Sequence, residues 1–433
     1  METLPVELLR LIYSYCDFPS TKVLREVNST LADVGYEYLL SPSFTALSYR
    51  NDIDRLHNIA LHHRLRGCIE TVVINLSDLD DYDARHAAYG RHFLQLPEDR
   101  SDVLSAAFVE FEKIKLGRKS LAQFHTRRDD LREALTSLPN LKHVEVTFTQ
   151  CPLDNQILRE VYEVPGCRRM NRAAAYQNLE AIIFALHSVR LTSFSVDRFP
   201  LEIFKIPDQR RHWFTHAQSF ASLSRLNMTI DPSGLQGPAS AVKAVNGLGY
   251  LLQLPKNLQH LKLAFHPYNS WDSKFVLSFR EMLNGFRYTQ LSDLTLEGVS
   301  CEEEDLRDFL IMHASTLTRL RLGGRGLAKP FSASTGGVHL HEGTFKSLFT
   351  ALRARMSKLE RIHLEGIFEC EPHGFSSHES YNFYPLTDES WEPVPRPGWV
   401  RASRKTISCQ PFEEYVLVGG MYPGTLLAQQ QDD

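Results

Sequence analysis

The sequence predicts an α/β protein in which a short helical module precedes an irregular, right-handed array of strands and helices. Residues 4–40 carry apolar side chains at the spacing of helices, whereas later segments alternate apolar and polar residues as strands do. Helix-compatible stretches separate these strand-like segments. Strands that alternate with helices favour a parallel sheet with right-handed crossovers.

The composition narrows the classes of function. The chain has 433 residues, with 48 Lys and Arg against 52 Asp and Glu, for a net charge of −4. This balance gives no electrostatic reason to expect nucleic acid or an anionic membrane as the partner. Seven scattered cysteines without a Cys-x-x-Cys pair indicate reduced thiols, so we expect a cytoplasmic or nuclear protein. Glu7 and Arg10 interrupt the first apolar run, which argues against a signal peptide.

The segment LPVELLRLIYSYC, residues 4–16, predicts a helix that is apolar around most of its circumference. Pro5 suits the first helical position, and Ser20 is a candidate N-cap for a second helix that runs to Val34. A short third segment at 36–40 follows. A helix on the surface of one domain needs a single apolar stripe, so this one is expected to contact more than its own domain.

Residues 4–34 resemble the F-box, whose pattern is Leu-Pro-x-Glu-Leu, an Ile, a turn and a Leu-x-x-Val helix. The matching positions are Leu4, Pro5, Glu7, Leu8, Ile12, Leu24 and Val27. Leu31 stands where the family usually has an aromatic residue. Residues 53–74 look like the helix-then-strand unit that follows the F-box in filamentous-fungal proteins. The resemblance implies that the matching residues dock on the Skp adaptor of a cullin-based ubiquitin ligase.

A Leu-x-x-Leu-x-Leu pattern recurs through the rest of the chain and predicts one buried strand per copy. The copies begin at Ile69, Leu141, Leu179, Leu223, Leu258, Leu291, Leu317 and Leu359. From Leu141 onward their starts are 26 to 44 residues apart, which is more uneven than in regular leucine-rich repeats. We therefore expect an irregular leucine-rich-repeat-like solenoid, with a closed α/β barrel as the alternative.

The domain boundaries follow from these patterns. We predict an F-box at 1–42, the solenoid at 43–370, and a proline- and aromatic-rich tail at 371–433. The tail has too many aromatic residues for a free linker, so it is expected to pack on the repeat array as irregular structure.

The residues between the repeat leucines would line the concave face of such an array. This interpretation makes them candidates for binding a protein substrate. The candidates are Arg225, His260, Lys262, Asp293, Glu297, Arg319, Arg321, Arg361 and His363. Arg319 and Arg321 could pair with a phosphate or a carboxylate of the substrate.

No catalytic motif stands out, since the chain contains neither Gly-x-Ser-x-Gly nor His-Glu-x-x-His. The densest metal-like group is His57, His62, His63 and Cys68. His62 and His63 are adjacent on a predicted helix and would point apart, so we expect no metal and no cofactor. The expected function is a non-enzymatic substrate receptor of a ubiquitin ligase. The alternative is a repeat scaffold whose N-terminal helices only cap the first strand.

Overall fold

The computed structural model is an α/β protein with parallel strands, and the predicted fold class is confirmed at that level. It describes residues 4–79, 101–117, 122–162, 168–205, 215–235, 238–265, 276–326, 336–371, 379–398, 400 and 405–425. The chain divides into two compact units. The first comprises Met1–Ser195 and His216–Ser219, and the second comprises Val196–Thr215 and Phe220–Asp433.

Short helices form the N-terminal module of the first unit. They are α1 (Val6–Ser14), α2 (Phe18–Val27), α3 (Ser29–Val34) and a 3-10 turn at Gly35–Tyr38. The predicted second helix is therefore wrong in length, because Asn28 is extended and caps α3 by accepting the backbone N–H of Leu31 at 2.8 Å. Asp17, and not Ser20, caps α2, since its carboxylate accepts the Ser20 N–H.

Pro5 also differs from its prediction, because it lies just before α1 as the N-cap residue. The helix packs its buried residues Leu9 and Tyr13 against Leu31 and Val34. The Tyr13 hydroxyl donates to the Leu31 carbonyl oxygen at 2.8 Å. This cluster is the module's own core, and it is small.

The rest of the first unit alternates strands and helices. The elements are β1 (Ser43–Leu47), α4 (Asp52–Leu61), β2 (Thr71–Asn75), β3 (Asp78–Leu79), α5 (Ser101–Gly117), α6 (Gln123–Thr126), α7 (Arg128–Thr136), β4 (His143–Thr147), α8 (Gln156–Tyr162), β5 (Arg168–Arg169) and α9 (Arg172–Leu186). Strands β1, β2 and β4 are parallel neighbours in that order, whereas β3 and β5 form an antiparallel pair. The predicted strands at Ile69 and Leu141 are confirmed as β2 and β4.

The predicted strand at Leu179 is wrong, because this residue lies inside helix α9. An alanine-rich start and an Asn171 cap, which accepts the Ala174 N–H, favour the helix. Leu179, Ile182 and Leu186 are buried at spacings of three and four, which a helix satisfies as well as the strand pattern does. The strand of this repeat lies further on, at β6 (Ser193–Pro200).

The second unit continues the alternation. Its elements are two 3-10 segments (Leu201–Lys205 and Ala217–Ser222, the latter beginning in the first unit), β7 (Arg225–Asp231), α10 (Pro238–Leu252), β8 (His260–Phe265), α11 (Phe279–Leu283), β9 (Asp293–Glu297), β10 (Val299–Cys301), α12 (Glu303–Met312), β11 (Arg319–Gly323), β12 (Val338–Leu340), α13 (Phe345–Arg355), β13 (Arg361–Cys370), β14 (Ser380–Tyr384), β15 (Ile407–Ser408) and α14 (Gln410–Leu417).

Strands β7, β8, β9, β11 and β13 are parallel neighbours, and the order then turns back through β12 to β10. The described strands of this unit form an open row, so the closed barrel is wrong. The buried repeat leucines share one register row, which is Leu226, Leu261, Leu294, Leu320 and Ile362. The strand predictions from Leu223 to Leu359 are confirmed.

The tail forms more regular structure than the sequence suggested. Strand β14 pairs antiparallel with β13, and α14 packs against the same region. Aromatic side chains fill the space between them, and Phe412 on α14 lies 4.9 Å from the ring of Tyr381 and 5.1 Å from that of Phe383.

Candidate functional site

The polar side chains between the repeat leucines form register rows across the parallel strands of the second unit. The first row comprises Arg225, His260, Asp293, Arg319 and Arg361. One row further along the strands lie Lys262, Arg321 and His363, together with Asn227 and Thr295. We call these the first and second polar rows.

The first polar row is basic and accessible. Arg225 and Arg361 at its two ends are exposed, and the Arg319 side chain is 37% exposed. Asp293 in the middle accepts from Arg319 Nε at 3.0 Å and lies 3.6 Å from Nδ1 of His260. Burial and the nearby Arg225 lower the pKa of His260, although Asp293 opposes this shift. The row therefore presents three arginines against one carboxylate.

The second polar row is covered by the chain itself. The Arg321 side chain donates to the Thr387 carbonyl oxygen at 3.5 Å, to Thr387 Oγ1 at 3.2 Å and to the Asp388 carbonyl oxygen. Its guanidinium carbon lies 4.7 Å from the ring centroid of Trp391. Lys262 Nζ lies 2.6 Å from the Glu389 carboxylate. The covering segment, residues 387–392, is called the tail turn below.

Asp388 organises the tail turn. Its carboxylate accepts the backbone N–H groups of Ser390 at 2.8 Å and Glu392 at 3.0 Å, and its own N–H donates to the Glu392 carbonyl oxygen. Trp391 takes a left-handed backbone conformation with φ of 65°, which is strained for a residue with a large side chain. This conformation places the indole on Arg321.

Further along the strands, the polar side chains are buried or half-buried. Burial raises the pKa of Glu297, although Lys262 and the Gly326 N–H, which donates to Glu297 at 2.6 Å, oppose that shift. His363 is 1% exposed, and its Nδ1 lies 3.2 Å from the Glu413 carboxylate of α14. Burial alone would lower the pKa of His363, but its hydrogen bonds to Glu365 and Glu413 raise it overall.

The structure divides the nine residues of the predicted substrate-binding strip by their accessibility. Its accessible members are those of the first polar row. The tail turn covers Lys262 and Arg321, while Glu297 is half-buried and His363 is buried. Nothing local in the sequence revealed this cover, because Arg321 and Asp388 are 67 residues apart.

The N-terminal module exposes many apolar side chains for its size. Those with 43% or more of their surface exposed are Val6, Leu8, Leu11, Tyr15, Phe18, Val23 and Val27. They lie on α1, directly after it at Tyr15, and on α2, away from the buried Leu9 and Tyr13. The spacing of the sequence predicted such an excess of apolar surface.

The seven residues that match the F-box pattern fall into two groups. Leu8, Val27, Pro5 and Glu7 are exposed. Leu4, Ile12 and Leu24 are half-buried because they pack on the module's own core. Leu11 on α1 and Tyr15 directly after it, which the pattern does not include, are also exposed and enlarge the accessible apolar surface.

The structure differs from the sequence prediction that His62 and His63 lie on a helix. Helix α4 ends at Leu61, so His62 and His63 are not on a helix, and their rings stack with centroids 5.3 Å apart. His57 Nε2 instead lies 3.2 Å from the Glu133 carboxylate.

Within the described residues, two other groups bring metal-type ligands together. They are His339, His341 and Glu371, and His363, Cys409 and Glu413. Sequence reasoning missed both because each joins segments far apart in the chain. The one available signal was His339-Leu340-His341, whose alternate positions share one face of a strand.

No protein-family model matches the chain, and no curated protein matches it either. None of the helices in the described ranges combines the length and the apolarity that a membrane crossing needs.

Proposed function

We propose that the protein is the substrate-recognition subunit of a Skp–cullin–F-box ubiquitin ligase. The observation that carries this proposal is the bare apolar surface of α1 and α2, which coincides with the segment that resembles an F-box. Helices of a single domain rarely leave so many large apolar side chains in water, and a contiguous exposed apolar patch indicates a protein partner. In this proposal Leu8 and Val27 contact the Skp adaptor directly, with Pro5 and Glu7 beside them.

The substrate would bind through the first polar row. Three arginines in register suit an acidic segment, because guanidinium groups pair with carboxylates and phosphates through two parallel hydrogen bonds. The protein would then act without chemistry of its own. It would hold the substrate and the adaptor together and so raise the local concentration of substrate near the enzyme that transfers ubiquitin.

One observation favours the alternative, in which the N-terminal helices cap a scaffold that has no ligase role. These helices belong to the same compact unit as β1, β2 and β4. Arg64, which follows α4, pairs with Asp33 of α3 at 2.6 Å and lies over the Tyr36 ring at 4.3 Å. A cap would make such contacts. A role as a cap does not, however, explain why apolar side chains of α1 are exposed to solvent.

Binding to the purified Skp adaptor separates the two functions. The wild-type chain should bind with a Kd in the micromolar range or tighter, and Leu8→Asp with Val27→Asp should abolish binding. Both residues are exposed, at 46% and 62%, so the double variant should keep its far-ultraviolet circular dichroism. Leu116→Asp is the matched control, since Leu116 is 82% exposed on α5 of the same unit. A wild-type chain that does not bind the adaptor would refute the ligase proposal.

A further inference from the structure

One face of strands β10, β12 and β13 is polar near the end of the sheet. Ser300 pairs in register with His339, and His339 pairs with Glu369. The Glu371 N–H donates to the Leu340 carbonyl oxygen, so the register continues to bring Glu371 beside His341. The intervening residues on these strands, such as Leu340 and Cys370, are buried on the other face. The alternation therefore gathers two histidines, a serine and a glutamate on one surface.

These groups lie at ligand distances from one another. Nδ1 of His341 is 2.9 Å from the Glu371 carboxylate, and one atom from each of His339, His341 and Glu371 lies within 4.8 Å of the others. The Ser300 hydroxyl lies 2.8 Å from Nε2 of His341 and 3.1 Å from Nδ1 of His339. His339 and Ser300 are buried, whereas the His341 and Glu371 side chains are 20% and 35% exposed, so solvent can reach the group.

We propose that His339, His341 and Glu371 bind a divalent cation of the zinc class. Two imidazoles and one carboxylate are a known ligand set for Zn²⁺, with water in the fourth position. In a tetrahedral site with bonds of about 2.0–2.1 Å, neighbouring ligand atoms lie about 3.3 Å apart. The His341 nitrogen and the Glu371 oxygen need to separate only slightly to reach that distance. Ligation requires that Nδ1 of His341 carry no proton, so the cation binds the tautomer of the neutral imidazole that holds its proton on Nε2.

Ser300 completes the geometry as a positioning residue. A histidine that ligates a metal through one ring nitrogen almost always donates its other N–H to an oxygen, which fixes the ring orientation. With Nδ1 of His341 on the metal, its Nε2–H donates to the Ser300 hydroxyl. The short distance between Ser300 and His341 is therefore already that of the metal-bound form. Bound metal joins β12 to the end of β13, beside β10.

The neighbouring group His363, Cys409 and Glu413 suits a cation less well. His363 is 1% exposed and Cys409 is fully buried, so a cation has no open route to these ligand atoms. His341 and Glu371, by contrast, are partly exposed and give a cation access to their group. The order Ser300, His341, Glu371 also resembles a hydrolytic triad, but Ser300 is 5% exposed within β10, and a nucleophile must be accessible to its substrate.

Zinc titration of the full-length, chelator-treated chain tests this site by calorimetry. We expect one Zn²⁺ to bind at this site. His341→Ala and Glu371→Gln should each raise its Kd at least about tenfold, and Ser300→Ala should raise it by about that factor. Zinc should raise the melting temperature of the wild type but not that of Glu371→Gln. This last variant is close in shape and partly exposed, so it remains informative if His341→Ala fails to fold.

Two controls and a spectrum identify the ligands. His63→Ala removes an exposed histidine of the first unit and should not change the affinity, and Cys409→Ser should not change it either. Co²⁺ in place of Zn²⁺ should give a tetrahedral spectrum without a thiolate charge-transfer band. The assignment is overturned if the wild type binds no zinc, if the Glu371 and His341 variants bind it unchanged, or if cobalt shows a thiolate band. Adaptor binding plays no part in these measurements, so they are independent of the proposed ligase function.

Discussion

The N-terminal module leaves apolar side chains exposed to solvent, whereas the C-terminal end of the second unit covers charged side chains with its own chain. Helices α1 and α2 leave Leu8, Leu11 and Val27 in water, and the module's buried core is limited to a few side chains. At the other end of the chain, the tail covers charged residues of the sheet and fills the space beside β13 with aromatic rings. An uncovered apolar surface requires another molecule, whereas a charged surface that the chain covers requires none.

This difference shows where binding energy is available. Burying exposed apolar surface contributes roughly 25 cal/mol per Å², so a partner gains most at the N-terminal helices. A ligand for the second polar row would first have to displace the tail turn and its hydrogen bonds to Arg321. The first polar row has no such cost, because Arg225 and Arg361 are already exposed.

The aromatic packing at the C-terminal end gives the largest expected effect. Phe412 is 1% exposed and packs against the rings of Tyr381, Phe383 and Tyr422. Phe412→Ala should lower the free energy of unfolding by about 3–5 kcal/mol, because it removes a large buried side chain and leaves a cavity. Trp391 belongs to the second unit, so tryptophan fluorescence in a urea titration reports this loss.

Val418→Ala is the matched control for that variant. Val418 directly follows α14 and is 86% exposed, so its truncation should change the free energy of unfolding by less than about 0.5 kcal/mol. Equal effects of the two substitutions would show that the tail is not packed on the sheet as described.

The buried pair His363 and Glu413 joins the sheet to α14 and should make stability depend on pH. Because the folded-state pKa of His363 is raised, its contribution is fully present below the unfolded value of about 6.5 and is lost as pH rises through the folded value. Glu413→Gln should therefore cost roughly 1.5–3 kcal/mol at pH 6 and clearly less once His363 is neutral. Urea titrations across this pH range measure the difference.

The glutamine keeps an oxygen that can accept the Leu364 N–H, now 3.0 Å from Glu413, so the variant tests the charge. Glu414→Gln changes an exposed neighbour on the same helix and should show no such dependence on pH. A Glu413→Gln penalty that is constant from pH 6 to pH 9 would mean that His363 is neutral in the folded protein.

The fold was predictable where an element follows from the spacing of apolar residues along a short stretch of sequence. The repeat leucines from Leu223 to Leu359 identified their strands, because alternation along a strand follows directly from burial of one face. The strand predicted at Leu179 was wrong because the apolar residues around it fit the period of a helix as well as that of a strand. The alanine-rich start of the segment and its Asn171 cap favour the helix. Helix caps at Asp17 and Asn28 are set by one side-chain hydrogen bond each, which the apolar pattern does not encode.

The candidate sites were less predictable because they depend on contacts between distant segments. The sequence indicated which residues share a face of the sheet, so the first polar row was foreseen. It did not indicate that Asp388 and Trp391 would cover Arg321, because both lie in a tail whose turn is built from its own hydrogen bonds. Glu371 likewise reaches His341 only through the register of β12 and β13.

Loosening the tail turn should have a smaller effect than the core variants. Asp388→Ala removes the carboxylate that accepts two backbone N–H groups, so we expect a loss of about 1 kcal/mol. It should also make Trp391 more accessible to acrylamide, which quenches tryptophan fluorescence. Glu389→Gln removes only an ion pair whose glutamate is 83% exposed, and it should leave both readouts nearly unchanged. An Asp388→Ala protein with unchanged accessibility would show that other contacts hold the turn on Arg321.

The smallest expected change in the free energy of unfolding is at the exposed surface of the N-terminal module. There, a substitution without effect on stability would support the argument for a separate partner. Leu11 is 52% exposed, whereas its neighbour Leu9 is 1% exposed in the module's core. Leu11→Ser should change the free energy of unfolding of the isolated chain by about 0.5 kcal/mol or less, while Leu9→Ala should cost about 2–5 kcal/mol. Far-ultraviolet circular dichroism in urea follows both, since the module is helical. A loss at Leu11 close to that at Leu9 would show that the chain itself covers this surface, and the argument for a separate adaptor would lose its physical basis.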